Sequence, residues 1–232
     1  MKALIAILLG GVTAASTLTA GVPPAPDPTV ALLSKIIQLV SKQAAGKDWA
    51  AAKRGETLAS GDKVKTGEQS LAIIKFMDNS LVRLREQSEL TVTGTVSGET
   101  FSKSIDLSSG SVGFHVQKQK PDEEFRFTSP TSVASIRGTA GLFACSTAGD
   151  TLVTIDGEVT LTSKSTSQSV TVPAGFTGLA APDGSLQTRQ STADERKAAE
   201  EASKIGDTIK KLELELRDGQ GRTEQLRIDF SQ

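Results

Sequence analysis

The sequence predicts a mainly β protein: a twisted solenoid-like or sandwich-like stack of short antiparallel strands, then one helix and a terminal β-hairpin. Three observations carry this expectation. Val, Ile, Leu, Thr and Ser dominate, while aromatic residues make up 4 % and Tyr is absent, which suits pleated sheet with a thin aliphatic core. Strand-length apolar runs are punctuated by turn signals, most clearly in SLAIIKFM-DNS-LVRL and TLVTI-DGE-VTL. Gly55, Gly61 and Gly67 recur every six residues, as expected for very short strands separated by tight corners where glycine supplies positive φ.

The first element is a targeting segment. Residues 1–20, MKALIAILLGGVTAASTLTA, place Lys2 before an apolar core and a run of small residues, the pattern of a signal peptide. Cleavage is expected after Ser16 or Ala20. The apolar run is short against the ~20 residues of a membrane span, so no span is expected after cleavage. Losing Lys2 leaves 25 basic against 27 acidic residues and moves the formal charge from −1 to −2. Cys145 is the only cysteine, which excludes an internal disulfide and, with none just after the leader, a lipoprotein. A periplasmic or extracellular protein is expected, with Cys145 as a small buried core residue.

Residues 21–28 form a proline-rich spacer, and residues 29–182 the main β domain. Thr29–Gln43 reads as helix or strand, with its second half favouring strand because Ile37, Leu39 and Ser41 alternate with Gln38 and Val40. In the first hairpin, a three-residue loop Asp78–Ser80 pairs Phe76 with Val82 and Ile74 with Leu84. In the second, Asp156–Glu158 pairs Ile155 with Val159 and Val153 with Leu161. Further strands are expected at Leu90–Thr95, Phe101–Leu107, Ser111–Val116, Phe125–Thr128 and Ser169–Val172, and KQKPDEE at 118–124 reads as a solvated loop. Residues 192–211 read as a polar helix with a Thr192/Glu195 capping box. Residues 212–232 read as a hairpin whose Leu212, Leu214 and Leu216 share a face with Leu226, Ile228 and Phe230. An isolated hairpin is marginal in water, so these six form a possible interaction surface.

Little in the chain points to chemistry. The acidic and basic residues are interleaved, so no stripe calls for nucleic acid. His115 is the single histidine and has neither a metal-ligand set nor a nucleophile elbow around it. Glu86 and Glu89 could pair for glycoside hydrolysis, but cleft aromatics are scarce. No phosphate loop or dinucleotide fingerprint occurs. The expectation is a non-enzyme with no catalytic residue, metal or cofactor. Trp49 is either a ligand-facing aromatic or a plug for the first short strand, and its small neighbours favour the plug.

The stretch TSPTSVASIRGTAGLF at 128–143 interrupts a strand with Arg137-Gly138-Thr139. Glycine at such a break marks a bend, with Arg137 bonded to carbonyls or an acid there and Thr139 restarting the strand. Together with Gly55, Gly61-Asp62, Thr66-Gly67, Asp78-Asn79-Ser80 and Thr128-Ser129-Pro130, in that order over about residues 53–180, this resembles the FecR domain. The residues read as a fold signature rather than a ligand site. The resemblance implies a periplasmic domain that receives a signal in the cell envelope. Family members like the ferric-citrate regulator also carry a cytoplasmic sigma-factor-binding segment, but only Met1-Lys2 precede the apolar run here, so no direct sigma-factor contact is expected. The expected partner is an envelope protein, with signal relay or regulation as the output. A cell-wall or polysaccharide ligand is the alternative.

Overall fold

The computed structural model describes residues 29–97, 100–121, 123–204, 210–217 and 223–230. Among them the chain forms, in order, β1 (Thr29–Ile37), β2 (Val40–Gln43), β3 (Ala50–Ala51), β4 (Thr57–Ala59), β5 (Lys63–Thr66), β6 (Leu71–Phe76) and β7 (Leu81–Leu84). β8 (Glu89–Ser97), β9 (Thr100–His115), β10 (Phe125–Thr128), β11 (Ser132–Ile136), β12 (Ala140–Ser146) and β13 (Gly149–Asp156) follow. Then come β14 (Glu158–Ser163), β15 (Ser169–Pro173), β16 (Phe176–Ala180), β17 (Leu186–Gln190), α1 (Ala193–Ser203), β18 (Lys210–Arg217) and β19 (Thr223–Phe230). No helix among the described residues is long and apolar enough to cross a membrane.

The first seventeen strands form one connected network, which folds into two open layers. Layer A runs β4-β1-β6-β7-β9-β12-β13-β16-β17. Layer B runs β3-β2-β5-β8-β9-β10-β11-β14-β15. Strand β9 belongs to both: it pairs with β8 up to Ser109 and with β12 from Gly110 onward. Sequence reading divides it into two strands because SSGS at 108–111 looks like a turn. The backbone instead bends there, at a Gly110 φ of 90°, and carries the chain from one layer to the other. The 118–124 excursion then reverses the chain, so β10 runs parallel to β9.

Inward positions alternate along each strand, as in β6 and β7, and the two inner faces pack together. The centre is aromatic rather than only aliphatic. Phe76 of layer A meets Phe125 of layer B at 4.8 Å, and Phe127 of layer B lies 5.0 Å from Phe114 and 6.2 Å from Phe143 of layer A. All five are buried. Few aromatics in the chain therefore does not mean few in the core, because those present are concentrated between the layers.

Several expectations are corrected. Thr29–Gln43 is strand on both sides of Gln38, whose φ is 55°, since both halves find ladder partners. The first hairpin pairs Ile74 with Val82 and Ala72 with Leu84, two residues from the expected register, which keeps the inward faces the same. Its loop is Met77–Asn79, closed by Phe76 and Ser80, because Asn79 adopts φ 65°. The Asp156–Glu158 turn joins no hairpin: β13 pairs within layer A and β14 within layer B, so it is an arch between layers. Gly55 and Gly61 have positive φ, whereas Gly67 does not. A Cβ at Gly67 would stand 3.0 Å from the exposed Leu39 side chain, which would have to give way slightly.

Helix α1 begins at the expected capping box, with Thr192 and Glu195 bonding reciprocally. It ends at Ser203 rather than 211, and Lys210 and Lys211 open β18. It lies on the outer face of layer A, with Ala199 and Ala202 against Leu142 and Val153. Gly113 lets it approach, since a Cβ there would stand 2.2 Å from the Ala202 carbonyl oxygen. β18 and β19 pair antiparallel, setting Leu212 opposite Ile228 and Leu214 opposite Leu226. Leu216 is opposite Glu224, and Phe230 opposite Lys210.

Candidate functional site

The signature residues lie at the arches and turns of the sandwich, where the backbone leaves the ladders and side chains must supply the hydrogen bonds. At the β6–β7 turn, the Asp78 carboxylate accepts from Ser80 N–H at 3.0 Å, Ser80 Oγ at 2.9 Å and Gln119 Nε2 at 3.0 Å. It also pairs with Lys103 Nζ at 2.6 Å, whose side chain is 1 % exposed. Burial raises the Asp78 pKa, but the bonds from Lys103, Gln119 and Ser80 outweigh it and hold the group below its ordinary value. Ser80 Oγ accepts from the Gln117 N–H, so this hairpin is tied to the chain leaving β9.

Arg137-Gly138-Thr139 forms the arch from β11 in layer B to β12 in layer A. Gly138 has φ 108°, and a Cβ there would lie 2.9 Å from Lys118 Cα. Thr139 is buried, and its carbonyl accepts from Val116 N–H at 2.9 Å. A Cβ at Gly157 would come within 2.5 Å of Thr139 Cγ2, so the two arches stack. Arg137 departs from expectation. It is exposed, makes no side-chain hydrogen bond among the described residues, and acts on Glu124 through its charge.

Other marks are equally structural in placement. Asp62, 3 % exposed, accepts from Ala59 and Ala45 N–H and pairs with Lys42 Nζ at 3.0 Å. Thr66 Oγ1 bonds the Arg85 and Ser88 carbonyls across the facing corner. Beside Pro130, Ser129 and Ser132 donate to the buried Asp150 carboxylate. Burial, together with Asp150, pushes the Cys145 thiol up to about 11, which makes it an inert core group. Trp49 is half-buried, and Lys65 Nζ stands 4.1 Å from its ring centroid.

Residues 62–160 match the family model described as FecR protein. Two crystal structures of a candidate anti-sigma factor from Parabacteroides distasonis ATCC 8503 share the fold of this chain, each with a TM-score of 0.50 and 9 % identity. The likeness covers 67 % of this chain and 68 % or 67 % of those chains. No curated relative matches the sequence.

The fold uses the signature residues as joints of a scaffold, not as one cleft. His115 is exposed at the end of β9, and no group of three His, Cys, Asp or Glu among the described residues is placed for a metal ion. Concave surface flanks α1 instead. On one side a groove of about 470 Å³ contains Ile37, Leu71, Arg83, Arg85, Ala198 and Ala202. On the other, about 530 Å³ is lined by residues including Leu81, His115 and Ile155. Sequence reasoning missed Arg83 and Arg85. Their i, i+2 spacing at the end of β7 announces a shared side of the chain, but nothing local announces the helix beside them.

Proposed function

We propose that this chain is a non-catalytic, exported interaction module of the bacterial cell envelope, acting in signal relay or regulation. The observation that carries the reading is the FecR match at residues 62–160. The leader-like residues 1–20 support export to the periplasm or beyond, and the lack of a cysteine after them supports a form without a lipid anchor. The partner is an envelope protein, recognised in part by the terminal hairpin. Its register sets Leu212 opposite Ile228 and Leu214 opposite Leu226, and apolar residues so paired favour association.

One observation favours a second reading, binding to cell-wall polysaccharide. Across the outer face of layer B a rank of polar residues runs Thr93, Ser104, Arg126, Ser135, Thr160, Thr171. A crosslinking pull-down from the native envelope, using the tagged mature chain with and without residues 212–232, separates the two. Capture of a specific protein that is lost on truncation supports the interaction module. Retention on purified wall with no protein partner overturns it in favour of the polysaccharide.

A further inference from the structure

The groove beside α1 combines aliphatic side chains with Arg83 and Arg85, and Glu86 and Glu201 also stand at its lining. Ala198 and Ala202 contribute from the helix, and Ile37 and Leu71 from the sheet. Arg83 lies on β7 and Arg85 directly after its end, where Arg85 N–H still donates to the Ser111 carbonyl, so extended geometry separates the two by roughly 7 Å. Arg83 donates to the Glu201 carbonyl oxygen at 2.9 Å, a backbone contact and not an ion pair. Neither guanidinium lies within ion-pair distance of a carboxylate among the described residues. The nearby Glu86 carboxylate is engaged by Gln69 N–H at 2.8 Å. Burial and the neighbouring Arg85 lower the basicity of Arg83, opposed by the charge of Glu201. At the same end of the sandwich Ile37 and Leu39 are 39 % and 66 % exposed.

We infer that this groove binds an extended peptide segment of a partner protein that presents carboxylates beside aliphatic side chains. The arginines select the charge. Guanidinium–carboxylate pairs can be bidentate, and residues i and i+2 of an extended strand repeat at about the same 7 Å as Arg83 and Arg85. Ile37, Leu71 and the alanines select the aliphatic part. A volume of about 470 Å³ falls in the range of specific ligand sites. Glu86 and Glu201 at the groove disfavour a polyanion such as nucleic acid. The inference rests on the interaction-module reading but assigns a surface to which the terminal hairpin does not contribute.

The test is selection of random decapeptides on the mature chain and on its Arg85→Glu variant, followed by fluorescence polarisation of the enriched peptides. Arg85 is exposed and makes no side-chain hydrogen bond among the described residues, so its reversal leaves the sandwich intact, which circular dichroism verifies. The expected outcome is enrichment of Asp or Glu alternating with aliphatic residues. Affinity should fall at least tenfold in Arg85→Glu and should weaken as salt rises, as screening requires. No acidic bias, no enriched peptide, or equal binding to both proteins overturns the proposal. Removal of residues 212–232 distinguishes it from the hairpin reading. Unchanged peptide binding with loss of the envelope partner leaves the groove standing and ties that partner to the hairpin. Tighter peptide binding after truncation would make the hairpin the occupant and overturn the assignment to a partner.

Discussion

Replacing Asp78 by alanine tests whether the β6–β7 turn is a buried electrostatic joint. The carboxylate receives four hydrogen bonds, including 2.6 Å from Lys103 Nζ. Its side chain is 23 % exposed, and that of Lys103 is 1 % exposed. Without Asp78 the ammonium stays buried, with the Phe101 and Phe125 rings at 5.6 and 5.9 Å. Such contacts contribute about 0.5–1 kcal/mol each, too little to replace the carboxylate. Breaking one side of a buried pair costs about 3–5 kcal/mol. Water reaches part of Asp78, so the lower end, about 3 kcal/mol, is expected. Asp78→Leu combined with Lys103→Met removes the orphaned charge and should cost less than Asp78→Ala alone. Urea unfolding followed by far-UV circular dichroism measures both. A loss below about 1 kcal/mol for Asp78→Ala, or a double variant no more stable than Asp78→Ala, would refute the reasoning. Acid gives a second check with a definite sign. The folded pKa of Asp78 is lowered from 3.8, so the stabilisation is complete above that value and is lost as pH falls below it, through the lower folded pKa. The gap between wild type and Asp78→Ala should therefore close in acid.

At the signature arch, Gly138→Ala places a Cβ 2.9 Å from Lys118 Cα at φ 108°, with an expected cost of about 2 kcal/mol from strain and displacement. Arg137→Ala should change stability by less than about 0.5 kcal/mol, as for an exposed surface group. Thermal melts giving equal losses would show that the cation, not the bend, holds the arch. Glu195 joins the start of α1 to β17 by accepting from Thr192 N–H, Thr177 Oγ1 and both Arg189 nitrogens. Chiefly through Arg189, its pKa falls from 4.5 to about 2. Its stabilisation is present above pH 4.5 and fades toward pH 2. Solvent screens the Arg189 pair, and Gln can still accept from the Thr192 N–H, so Glu195→Gln should cost at most about 1 kcal/mol near neutrality, through the lost charge beside Arg189. The urea-midpoint difference from wild type should vanish toward pH 2, and a constant difference would contradict this account.

Much of the scaffold was legible in the order of residues because its signals are local. Thr192 and Glu195 announced the cap of α1, and alternation announced Leu71–Phe76, Leu81–Leu84 and the strands of the terminal hairpin. The spacing of Gly55, Gly61 and Gly67 announced corners. What was misread depended on which layer a strand joined. Asp156-Gly157-Glu158 has the composition of a hairpin turn, but β13 and β14 find their partners in different layers. Ser108–Ser111 has the composition of a break, but β9 passes through it because β8 waits in one layer and β12 in the other.

By itself the sequence determined a β protein with glycine corners, a capped helix, an amphipathic hairpin and a FecR signature, since periodicity and capping act within a few residues. Only the tertiary structure decided that Asp78 would meet Lys103, that five phenylalanines would gather between the layers, and that α1 would leave a groove beside Arg83 and Arg85. Those contacts join segments far apart in the chain. Their energies come from desolvation and packing between surfaces, which no local pattern records.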